Sequence, residues 1–180
     1  MRATTMRSIV LPEAKPALEW VNGRVLQKVS PRRKHSLAQM RFAAALDAWA
    51  RKNACGRVGT EWEFRLQPPG EPRRPLVPDV AYLSFARVSR SDERGADIPT
   101  VAPDAIVEVL SRGERRSDRE DKLRVYFACG TVVAFLVDTA GEFVAARDKD
   151  GIKVFRRRST LTYKTLCGFT LPVRVLFEEI

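Results

Sequence analysis

The sequence predicts an α/β fold: one mixed central β-sheet flanked by helices, with a β-hairpin near the N-terminus. Three observations carry this. Residues 105–110 ("AIVEVL"), 118–129 and 132–138 read strand, helix, strand, a βαβ unit whose two strands must be parallel neighbours. "ALEWVNGRVLQKVS" sets Asn22-Gly23 between two β-patterned runs, a strong short-range hairpin signal. The hairpin patterns upstream of the βαβ unit predict antiparallel pairs within the same sheet.

The elements follow in order. Ser30-Pro31 offers an N-cap with proline in the first helical turn. From 35 to about 52, Leu37, Met40, Ala44, Ala45, Ala48 and Trp49 recur at helical spacing. After Gly56, residues 57–66 ("RVGTEWEFRL") alternate like a strand, and 67–75 ("QPPGEPRRP") is a Pro/Gly-rich loop. Residues 76–85 read as a strand and 86–100 as a polar, irregular stretch. Ser117 and Glu120 form a capping-box pattern ahead of Leu123, Tyr126 and Phe127, predicting a helix over 118–129 that Gly130 ends. "TVVAFLVD" is a continuous apolar run, the kind covered on both faces. Two more alternating segments, near 142–146 and 152–156, precede the closing "GFTLPVRVLF". The organisation expected is a flexible N-terminal stretch over 1–16 and a single domain over 17–180.

Composition narrows the function classes. The longest aliphatic run, "TVVAFLV", is far too short to cross a bilayer, and the N-terminus has no signal-peptide pattern. Cys55, Cys129 and Cys167 are odd in number and in no metal-ligand spacing, so reduced thiols in a cytoplasmic protein are expected. A net charge of +10 is compatible with a polyanionic partner, nucleic acid first, and equally with a merely basic surface. The cations cluster in "SPRRKH", with Arg32, Arg33 and Lys34, in "RGERRSDRE", with Arg112, Arg115 and Arg116, and in "FRRRS".

Glu108 lies inside the apolar strand 105–110, where an ionised carboxylate needs a cation. Asp79, after Pro78, sits among apolar residues of the preceding strand. Two carboxylates on neighbouring strands repel and raise each other's pKa, and a divalent cation between them removes the conflict. Lys122, on the border of the apolar face of helix 118–129, can run its stem over apolar surface toward the end of Glu108's strand. Such a set suits phosphodiester hydrolysis, with the ammonium orienting the water or stabilising the pentavalent oxyanion. Taken singly, each residue has a plainer reading. Asp79 could start a strand, Glu108 could pair with Arg112 or Arg116, and Lys122 could be an exposed helix lysine beside Asp118. His35 could be a helix-terminus residue, and Glu19 could lie on the solvent face of its strand.

Pro78-Asp79 followed by Glu108 in an apolar strand resembles the PD-(D/E)XK nuclease superfamily, with its restriction-endonuclease-like fold. The chain is most similar to one branch, the restriction-endonuclease family long catalogued as a bacterial domain of unknown function. The ordered set "LEWVNGRV", "SPRRKHSLAQ", "VPDVAYL", "PDAIVEVLS", "EDKLRVYFACG", "AFLVD" and "GFTLPVRVLF" carries the likeness from about Leu18 onward. The resemblance implies Asp79 and Glu108 as ligands of Mg²⁺ or Mn²⁺, with the Val109 carbonyl as third. It implies DNA as the substrate, cut to leave a 5′-phosphate. The superfamily's lysine stands two residues after the glutamate, where this chain has Leu110; the branch resembles variants in which it has migrated to the next helix, here Lys122. Glu19 and His35 match further polar positions and are candidates to line the site, Glu19 near a second metal. Many relatives in the superfamily dimerise to cut both strands, so a homodimer is compatible with the likeness. The alternatives are a non-catalytic nucleic-acid-binding module, kept open by the displaced lysine, and an RNA-directed nuclease.

Overall fold

Asn22 and Gly23 take φ of 48° and 73°, the twist a two-residue hairpin turn needs. They join β1 (Leu18–Val21) to β2 (Arg24–Gln27), paired antiparallel with Val21 opposite Arg24. The protein is described here from a computed structural model covering residues 8–111 and 113–178. Arg112 therefore lies outside the described residues, as do 1–7 of the N-terminal stretch. Within that stretch, Ser8 bridges to Arg73 and the Ile9 N–H donates to the Arg73 carbonyl.

The hairpin is followed by α1 (Arg33–Lys52), β3 (Gly56–Thr60), β4 (Phe64–Leu66), β5 (Arg74–Leu76), β6 (Val80–Ser84) and a short α2 (Glu93–Asp97). Then come β7 (Ala105–Val109), α3 (Arg116–Ala128), β8 (Val133–Asp138), β9 (Phe143–Asp148) and β10 (Gly151–Arg156). The chain closes through β11 (Thr160–Thr162), β12 (Thr170–Pro172) and α4 (Arg174–Phe177). Six strands make the central sheet in the order β10-β9-β8-β7-β6-β3. Only β7 and β8 run parallel, joined through α3, and every other neighbouring pair is antiparallel. This is the mixed, helix-flanked sheet expected from the βαβ pattern.

The sheet separates two apolar layers. Phe42 and Leu46 of α1 pack with Val107, Phe135, Phe169 and Phe177 on one face. Leu123, Val125 and Tyr126 of α3 pack with Ile106, Ala134, Ala81 and Leu83 on the other. Because side chains alternate across a strand, Val107 looks toward α1 and Glu108 toward α3.

Several local expectations are corrected. The N-terminal hairpin forms its own two-stranded sheet instead of joining the central one. It is fastened to α3 and β5 by polar contacts: Asn22 and Arg24 to Asp118, and the Arg74 guanidinium to Asp121 and the Trp20 carbonyl. The predicted capping box does not form: α3 begins at Arg116, so Ser117 lies inside the helix and the N-cap position is Arg115, with no side-chain cap. Likewise α1 starts at Arg33, with Arg32 and not Ser30 at its N-cap position. The run 57–66 is broken at Glu61, whose φ of 50° ends β3, so β4 pairs with β5 in a separate ribbon. The predicted strand 76–85 is two strands, separated by Val77-Pro78-Asp79. The stretch 86–100 holds α2, capped by Asp92, whose carboxylate accepts from the Gly95 N–H.

Candidate active site

The register of β6 on β7 places Val80 opposite Val107. Extended by one pair, it sets Asp79 opposite Glu108, at the end of β6 that the Pro78 break leaves open. Both carboxylates are buried, and both line one cavity of about 850 Å³. The cavity is roofed by the hairpin and the segment that follows it, and floored by the strand ends of β6 and β7. Glu19, Lys28, His35, Gln39, Glu61, Val109, Arg115 and Lys122 complete the part of its lining that matters chemically.

Glu108 is held by α3. Its Oε1 stands 2.8 Å from the Lys122 ammonium, although no hydrogen-bond donor is aligned on that oxygen. The same ammonium lies 3.1 Å from Glu19 Oε2, and Glu19 Oε1 accepts from the Val77 N–H at 2.8 Å. All three side chains are at most 7% exposed, so they interact in a water-poor setting. Burial pushes the Glu108 carboxyl up to about 8, with the Lys122 charge only partly opposing it. Burial works against the Lys122 charge, but Glu108 and Glu19 raise its pKa well above the usual lysine range. Glu108 thus pairs with Lys122 and not with Arg116, and Lys122 is buried and not an exposed helix lysine.

Asp79 is held differently. Its Oδ2 accepts from the Val109 N–H at 2.7 Å and faces His35 Nε2 at 3.3 Å. Its Oδ1 meets the Lys28 ammonium at 2.8 Å. Burial alone would raise the Asp79 carboxyl, but His35 and Lys28 together hold it below the usual carboxylate range. Lys28 also contacts Glu61 Oε2 at 2.8 Å and donates to the Val77 carbonyl at 3.0 Å. Burial works against the Lys28 charge too, and Asp79 and Glu108 raise its pKa above the ordinary lysine value. Gln39 ties the group together by donating to Glu61 Oε1 and to the Asp79 carbonyl.

The cavity therefore gathers Glu19, His35, Asp79, Glu108, Val109, Lys122 and Arg115 of the residues singled out in the sequence. Arg32, Arg33, Lys34 and Arg116 are exposed near the starts of α1 and α3 and do not line it. Lys28, Glu61 and Gln39 were not foreseen. Gln39 carried a signal: it sits one helical turn after His35, beside the buried stripe of Ala38, Phe42 and Leu46. Lys28 and Glu61 carried none, because their roles depend on how separate sheets dock. Among the described residues, no three His, Cys, Asp or Glu side chains converge as a metal-holding group. The carboxylates meet lysines instead.

A profile of the Uma2 family, described as "Putative restriction endonuclease", matches residues 8–175. The chain belongs to the Uma2 family. Among solved structures, this Uma2 chain is similar to a putative nuclease of the DUF820 family from Anabaena variabilis ATCC 29413. The two share 24% sequence identity over 93% of each chain, with a TM-score of 0.80, which establishes the common fold. No curated protein matches it. Among the described residues no helix is long and apolar enough to cross a membrane, and Cys55, Cys129 and Cys167 are free.

Proposed function

We propose that this Uma2 chain is a metal-dependent endonuclease that hydrolyses DNA phosphodiester bonds in the cavity between the hairpin and the ends of β6 and β7. The observation that carries the reading is the pair Asp79 and Glu108, opposed across two strands on the wall of one cavity. Family membership supplies the reaction class. The donor set fits Mg²⁺ or Mn²⁺: the oxygens are hard, and Glu108 Oε1 is buried with no donor aligned on it. Asp79, Glu108 and the Val109 carbonyl would hold the ion. Bound there, it would lower the pKa of a water and neutralise developing charge on the phosphate.

The protein's own groups do the remaining work. Lys122 is ion-paired with Glu108 and Glu19, and we assign its ammonium to orienting the attacking water. His35 and the Val109 N–H fix Asp79. Arg115 stands on the cavity wall, where it can meet a phosphate, while Arg32, Arg33, Lys34 and Arg116 would extend the backbone contact outside it. Glu19 serves Lys122 in this reading, as a positioning residue.

Supercoiled plasmid, incubated with Mg²⁺ or Mn²⁺ and wild type, Glu108→Gln or Lys122→Ala, tests the reading. Metal-dependent nicking by wild type, falling by about 100-fold or more in either variant, is expected. Equal nicking by all three would overturn it. DNA binding without any metal-dependent nicking would favour a non-catalytic nucleic-acid-binding module, the reading that Leu110 at the usual lysine position and the pairing of Lys122 with Glu19 and Glu108 would then support.

A further inference from the structure

The Lys28 ammonium sits among Asp79 Oδ1 at 2.8 Å, Glu61 Oε2 at 2.8 Å and the Val77 carbonyl at 3.0 Å. That is an all-oxygen cradle of two carboxylates and a carbonyl, the kind of surroundings a hard cation takes. With Oδ2 committed to the Val109 N–H and His35, Oδ1 is the oxygen that Asp79 has to offer, and Lys28 holds it. Lys28 is nevertheless not locked into the core. It stands just past β2, its side chain keeps 12% of its surface exposed, and the cavity opens beside it. Its four-carbon stem is flexible, and the partner it would keep on leaving Asp79, Glu61, is itself 45% exposed. Glu61 is held in place for this by a φ of 50°, by Gln39, and by its N–H donating to the Asp79 carbonyl.

We propose that Lys28 is the resident counter-cation of Asp79, which an incoming divalent ion must displace, so that this lysine sets the metal affinity of the site. The inference rests on the reading of Asp79 as a metal ligand. Two cations on Oδ1 repel each other strongly, so arrival of the ion works against contact between Lys28 and Asp79. Lys28 then swings toward Glu61 and the cavity mouth. Lys122 has no such freedom, being buried between the two carboxylates of Glu19 and Glu108.

The sign of one change separates a competitor from a support. A lysine that merely props the site would, on removal, loosen it and weaken metal binding; a competitor would, on removal, strengthen it. Mn²⁺ binding is measured by calorimetry, without DNA, on wild type, Lys28→Met, Lys28→Gln, Lys28→Arg and Asp79→Asn, each checked for folding by thermal melting. Lys28→Met and Lys28→Gln should bind Mn²⁺ at least about fivefold more tightly, the lower end of ordinary coupling between two ligands. Lys28→Arg, which keeps the charge, should stay near wild type. Unchanged or weaker binding in either folded neutral variant overturns the inference, and failure of both to fold assigns Lys28 to the scaffold and overturns it too. If Asp79→Asn binds Mn²⁺ as well as wild type, the metal-site reading itself fails. If Asp79→Asn loses binding while the Lys28 variants gain nothing, only the inference about Lys28 fails.

Discussion

The two carboxylates of the site lie side by side yet are served by different parts of the molecule. Glu108 belongs to the βαβ unit: its strand is central, its lysine comes from the connecting helix, and both partners are buried. Asp79 belongs to a junction: its partners come from the start of α1, from the chain after β2 and from the loop after β3, on the open side of the cavity. Burial is the largest single influence on both: it raises the Glu108 carboxyl, whereas at Asp79 the contacts of His35 and Lys28 together outweigh it and lower the carboxyl. The difference teaches a division of labour. The half whose partners are buried fixes geometry, while the half whose partners reach solvent can exchange them.

That division can be broken in order of cost. Lys122→Met should be the most damaging substitution, because it removes the cation from between buried Glu108 and Glu19; a loss of about 3–5 kcal/mol in urea unfolding is expected. Lys28→Met should cost less, about 1–2 kcal/mol, since Asp79 keeps the Val109 N–H and His35. A larger loss at Lys28 than at Lys122 would reverse the assignment of rigid and exchangeable halves.

A pH series sharpens the same contrast. Glu108 binds its proton more tightly folded, near 8, than unfolded, near 4.5. Its favourable contribution is therefore complete below about pH 4.5 and is lost as pH rises toward 8. Asp79 has the opposite sign: its contribution is present above its unfolded value of 3.8 and is lost only as pH falls below it. Chemical denaturation between pH 4.5 and 8 should show a stability decline in wild type that Glu108→Gln flattens, and an unchanged slope in that variant would contradict the burial account. The smallest effect is expected at the hairpin's fastening. Asp118→Asn weakens the pair with half-exposed Arg24 and should cost about 1 kcal/mol, read as faster amide exchange in β1 and β2.

The same contrast explains what was legible in the sequence. The strand carrying Glu108, the helix carrying Lys122 and the parallel strand after it are consecutive, so local periodicity exposed all three. Asp79 and His35 were legible as residues, from Pro78 and from their place in an ordered set of motifs, but their contact was not. Lys28 and Glu61 meet only because the hairpin leaves the central sheet and β3 breaks at a positive φ, and neither event has a signature in residue spacing. The contacts of Asp118 with Asn22 and Arg24, more than ninety residues upstream, have no signature in residue spacing either.

The central claim is that Asp79 and Glu108 together hold a divalent ion. Crystals soaked in Mn²⁺ and measured at a wavelength where manganese scatters anomalously test it most directly. The account predicts a peak about 2.1 Å from one oxygen of each carboxylate, with Lys28 turned toward Glu61. A peak elsewhere, or Lys28 still on Asp79 with manganese bound, would contradict it.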